Sequence, residues 1–144
     1  MNETCIKKLE IKSGFQEDQL AKVRNFVKDC IHSAPILQAD ANQIARLQLA
    51  AVEIVSNICR HAYEGRIGEP IQIKAVLSSD EINLYFQDQS GKEFNPQEIT
   101  KPPEPSPDGG MGLWIIQQSA DNVCYYQNKK GINCVCLTIR QSQK

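Results

Sequence analysis

The sequence predicts a two-layer α+β sandwich: a mixed, mostly antiparallel sheet covered on one face by about three helices. Three observations carry that reading. Five short stretches alternate apolar and polar residues, the period of a half-buried strand. Three longer stretches repeat at the helical period, and the middle one is apolar around most of its circumference, so it is a buried helix. Strands that follow one another through short turns favour antiparallel pairing, and helices on one face complete two layers.

Residues 5–11 alternate and form the first strand. Ser13, with Gln16 three residues on, has the spacing of a capping box, and Leu20, Val23, Val27, Cys30 and Ile31 give residues 16–32 an amphipathic helical face. Pro35 stops it. Asp40 and Gln43 form a second capping-box pattern, after which the central helix runs from Ile44 to about Tyr63. A glycine-rich turn over 64–70 leads to strands at 71–77 and 82–88, separated by a turn at 78–81. Residues 95–110 hold five prolines and read as a lid-length loop. Gly109, Gly110 and Gly112 then open a helix over 113–120, and strands at 122–127 and 132–140 follow. No internal repeat or linker divides residues 1–144, so one domain is expected.

Composition narrows the function. Of 144 residues, 41% are hydrophobic and 23% charged, and the net charge is −1. These values suit a globular protein and give no basic footprint for nucleic acid. No apolar run reaches the length of a membrane span, and the N-terminus has no basic segment followed by an apolar one, so a cytoplasmic protein is expected. The six cysteines include no C-x-x-C pair. They read as small hydrophobes rather than metal ligands, with Cys134 and Cys136 expected on opposite faces of the last strand.

Glu53, Asn57 and His61 lie four residues apart on the central helix and so fall on one stripe. A carboxylate and an amide on an otherwise apolar helix need partners, because a buried unpaired polar group costs about 1–3 kcal/mol. Either other side chains satisfy them or they face a ligand. The parity of Ile82, Leu84 and Phe86 places Asp88 inward at the end of its strand, either as a ligand acceptor or as an Asx-turn residue opening the next loop. Glycines ahead of a helix expose backbone N–H groups to an anion, although Gly-Gly-x-Gly alone is more often a flexible turn.

Taken together, Glu53-Ile-Val-Ser-Asn57-Ile-Cys-Arg-His-Ala-Tyr63, Phe94-Asn-Pro96 and Gly109-Gly-Met-Gly-Leu-Trp-Ile-Ile116 resemble the Bergerat-type ATP-binding fold of the GHKL superfamily, shared by histidine kinases and gyrase-type ATPases. The resemblance covers nearly the whole chain. It is closer still to the small bacterial anti-sigma-factor serine kinases of partner-switching pathways. It implies ATP and Mg²⁺ as cofactors, with Asn57 supplying an oxygen to Mg²⁺ and Glu53 acting as the base toward a serine hydroxyl. Asp88 would accept from the adenine amine. Gly91, Gly109, Gly110, Met111, Gly112 and Leu113 would shape the nucleotide loop. Arg60 and His61 would be phosphate contacts or a solvated helix end. The implied partners are a sigma factor and an anti-sigma-factor antagonist, in a protein able to form a homodimer. A non-catalytic ATP-binding module that sequesters partners is the alternative, and Glu53 favours the kinase. One departure stands out: the loop reads Asp88-Gln-Ser-Gly-Lys-Glu-Phe94, with Ser90 where the family writes its first glycine.

Overall fold

A computed structural model describes residues 4–14, 17–34, 41–91 and 112–140. The elements run β1 (Cys5–Lys12), α1 (Glu17–Ser33), α2 (Ala41–Asn57), a π-helical turn (Ile58–Ala62), β2 (Pro70–Leu77), β3 (Glu81–Asp88), α3 (Gly112–Ser119), β4 (Asn122–Gln127) and β5 (Asn133–Arg140). The sheet order is β1-β2-β3-β5-β4, and all four pairings are antiparallel. Because β3 and β4 both oppose β5, they run parallel to each other. A crossover that includes α3 makes this arrangement possible and leaves β5 free to slot between them.

One sheet face carries Ile71, Ile73, Ala75 and Leu77 from β2, Ile82, Leu84 and Phe86 from β3, and Val135 and Leu137 from β5, all buried. Helix side chains at 3.6-residue spacing cover it: Val23, Val27 and Ile31 of α1, and Leu47, Ala51, Ile54 and Val55 of α2. Ile116 of α3 joins the same core. α2 lies between the other two helices and packs against both, which is why it is apolar around most of its circumference.

Three local expectations change. Ser13 does not cap a helix. Its hydroxyl donates to the Arg66 carbonyl at 2.5 Å and accepts from the Glu69 N–H at 2.9 Å. Its own N–H reaches the Glu69 carbonyl at 2.7 Å, so Ser13 stitches the end of β1 to the loop before β2. The second capping pair involves Asp40, which lies outside the described residues. The central helix stays α-helical only to Asn57, after which the Tyr63 N–H reaches back five residues to the Ile58 carbonyl at 2.8 Å. The wider winding takes His61 off the Glu53–Asn57 stripe, and His61 and Arg60 are exposed. Finally, Cys134 and Cys136 share the outer face of β5, across from Tyr126 and Cys124. Side chains two apart on a strand point the same way, so opposite faces could not hold.

The six cysteines are free thiols, four of them buried. Among the described residues, no group of three or more His, Cys, Asp or Glu is placed to hold a metal ion, and no helix is long and apolar enough to cross a membrane. Burial pushes the Cys30 thiol up to about 11 from its ordinary 9.0. Burial, and then the neighbouring Cys124, push Cys136 up to about 12. In both, folding favours the neutral form, so their contribution to stability is complete below pH 9 and is lost as pH climbs through 11 to 12. The urea midpoint is therefore expected to fall as pH rises above 9, and less steeply in Cys30→Ala. An equally steep fall in that variant would refute the assignment to Cys30.

Candidate functional site

The candidate residues lie on α2 and at the paired ends of β3 and β5. Glu53 and Asn57 are one α-helical turn apart on α2, within its regular winding. Glu53 is half-buried, whereas Asn57 is 8% exposed. The Asn57 Nδ2 is buried and has no hydrogen-bond partner among the described residues. Native folds rarely leave such a donor unpaired without a functional reason, which makes Asn57 a candidate for a ligand contact. The same amide, turned over, would present a carbonyl oxygen, so the residue suits either a phosphate oxygen or a hard cation.

Asp88 ends β3 on the inward face, 4% exposed, as the strand's parity predicts, while Gln89 is exposed. Its Oδ1 accepts from the Ser90 N–H at 3.0 Å, the Ser90 hydroxyl at 2.7 Å and the Asn133 Nδ2 at 3.0 Å. The bond to the Ser90 N–H is an Asx turn, so Asp88 both opens the loop and keeps its carboxylate inside. Ser90 stands at the glycine position and earns a role there, since its hydroxyl adds a donor glycine lacks. Gly91 takes the positive φ of 77° that the turn needs, and its carbonyl accepts from the Gln127 side chain at 3.0 Å.

Sequence reasoning missed two residues of this corner. Tyr63, 1% exposed, donates its hydroxyl to the Pro70 carbonyl at 2.6 Å and accepts from the Gln89 N–H at 2.8 Å. Burial raises its pKa, with the nearby Asp88 charge adding to the rise. Asn133 lies directly across from Asp88 in the β3–β5 register. Its neighbour could be known only from a strand order that places β5, not β4, beside β3. Gly112 begins α3 and Leu113 follows within it. Phe94, Pro96, the proline-rich stretch over 95–110, Gly109, Gly110 and Met111 lie outside the described residues.

Residues 15–139 match the family of histidine kinase-like ATPase domains. The chain belongs to that family. As a histidine kinase-like ATPase domain it shares the family's association with ATP. It is 33% identical over 86 residues to the serine-protein kinase RsbW of Bacillus mycoides, covering 54% of this chain and 52% of that protein. The chain thus spans about half the length of this curated relative. Against RsbW of Bacillus cereus strain AH187 the identity is 27% over 124 residues, covering 81% of this chain and 75% of the relative. The domain is homologous to these serine-protein kinases. Among solved structures, the SiaB–SiaC complex from Pseudomonas aeruginosa contains a chain of the same fold, with a TM-score of 0.63 and 11% identity over 91% of this chain and 88% of that one.

An unpaired buried amide is a cost to the ligand-free fold. Asn57→Leu is expected to leave the ligand-free domain as stable as the wild type, or more stable by up to about 1 kcal/mol in urea unfolding. A loss greater than that would mean Asn57 serves the fold rather than a ligand.

Proposed function

We propose that this domain is an ATP-dependent protein serine kinase that also binds its partners stably, acting as one unit over residues 1–144. The observation that carries the proposal is the Asn57 amide, unpartnered among the described residues and one turn from a half-buried carboxylate, in a fold that also holds Asp88 inward at the end of β3. Homology to proteins named serine-protein kinases supports the reaction class.

Each residue has a distinct task. The Asp88 carboxylate accepts a hydrogen bond from the adenine amine. Asn57, with its hard oxygen, suits Mg²⁺ beside the phosphates; when bound, that ion neutralises charge developing on the transferred group. Glu53 holds the acceptor hydroxyl in line and takes its proton as the oxygen attacks the γ-phosphorus, while the bond from that phosphorus to the β–γ bridging oxygen breaks and ADP leaves. Gly109, Gly110, Met111, Gly112 and Leu113 bring backbone N–H groups to the phosphates at the start of α3, and Gly91 shapes the loop beside the base. By the family resemblance, the acceptor serine belongs to an anti-sigma-factor antagonist, and the protein held in its absence is a sigma factor.

Glu53→Gln keeps the shape of the side chain and removes the base. It is expected to bind ATP and partner as the wild type does while phosphoryl transfer falls roughly 10²–10⁴-fold. Asn57→Ala is expected to lose nucleotide affinity as well as transfer. The measurements are calorimetry with ATP and Mg²⁺, and transfer of labelled phosphate to a serine-bearing antagonist. Wild-type transfer by Glu53→Gln would remove Glu53 from the chemistry. Nucleotide binding without any transfer by the wild type would favour a non-catalytic switch instead.

A further inference from the structure

Asn133 makes full use of its amide. Its Nδ2 donates to Asp88 Oδ1 at 3.0 Å and to the Ser90 hydroxyl oxygen at 3.1 Å. Its Oδ1 accepts from the Tyr125 hydroxyl at 2.9 Å. Turning the amide over would set its carbonyl against a carboxylate oxygen, so its orientation is determined. With the two Ser90 donors, three hydrogen bonds converge on Asp88 Oδ1, and none among the described residues goes to Oδ2. Exchanging the two oxygens by rotation would break all three at once.

The lock has a consequence for base selection. A carboxylate with both oxygens free can grip two adjacent donors, and guanine offers such a pair at N1–H and the 2-amine. A carboxylate with one oxygen already saturated can accept from only one donor on the base, which suits the single amine edge of adenine. We propose that Asn133 is a positioning residue for purine selection: with Tyr125 and Ser90 it holds Asp88 Oδ1, so that Oδ2 alone meets the base. The inference rests on the reading of Asp88 as the adenine acceptor.

The test measures ATP and GTP affinity by calorimetry in the wild type, Tyr125→Phe and Asn133→Asp, each from about pH 5.5 to pH 8. The wild-type series carries the titration of the phosphates themselves. Asn133→Asp places a second carboxyl group against Asp88, and such a pair binds one shared proton more readily than either acid alone. At the acid end the shared proton replaces the lost amide donor, so ATP affinity is expected near the wild-type value. At pH 8 affinity is expected to fall roughly 10- to 100-fold relative to wild type, the range for a hydrogen bond to a charged group. The other titratable neighbours of Asp88 among the described residues are Tyr63 on the π-helical side and Cys134 on β5. Burial raises the pKa of both, so both stay neutral across this range.

Tyr125→Phe keeps the ring and removes the hydroxyl that orients Asn133, so the ratio of ATP to GTP affinity is expected to shrink about 5-fold. This variant decides the matter if Asn133→Asp does not fold. Wild-type affinities, base preference and pH profile in the folded variants would overturn the positioning role and leave the adenine reading standing. A wild type that binds neither nucleotide, or both equally, would overturn both together.

Discussion

The Tyr63 hydroxyl ties the end of the central helical segment to the sheet by hydrogen bonds. It links the Pro70 carbonyl, where β2 begins, to the Gln89 N–H, just past the end of β3. Tyr63 follows directly on the π turn into which the chain widens after Asn57. Regular α-winding through residues 58–62 would advance Tyr63 by a different angle and point its ring elsewhere. The π turn therefore sets the relation between the Glu53–Asn57 stripe and the Asp88 corner. Such turns are frequent at functional sites, because a single extra residue re-aims a side chain without ending the helix.

The helix and strand plan was legible because it depends on periodicity. The alternation in 71–77 and 82–88 matches β2 and β3 almost residue for residue, and it placed Asp88 inward. The buried character of α2 was legible for the same reason. What could not be read were features that depend on partners distant in sequence. Asn133 meets Asp88 across 45 positions, through a strand order that nothing local encodes. Ser13 has the spacing of a cap, but its partners lie at 66 and 69, and these long-range bonds outcompeted the local pattern. The π turn escaped because a 3.6-residue pattern and a slightly wider one differ little over five residues.

The site is built from unequal parts. The Asp88 corner is saturated with hydrogen bonds and belongs to the rigid sheet. Asn57, by contrast, carries a buried donor that none of the described residues satisfies. A hydrogen-bonded corner that defines geometry, together with a helix face that gains from occupancy, is what a reversible ligand site requires. The Ser90 substitution fits this division, because it strengthens the rigid side.

The Asp88 corner also has a history during synthesis. It needs Tyr63 from the π turn, Ser90 from the loop after β3, and Asn133 from β5. During translation the earlier segments emerge first and can begin to pack. β1, β2, β3 and both long helices can meet before β5 exists, yet the corner stays incomplete until residues 133–140 leave the ribosome and slide between β3 and β4. A partly made chain thus lacks one of the three hydrogen bonds that hold Asp88 Oδ1.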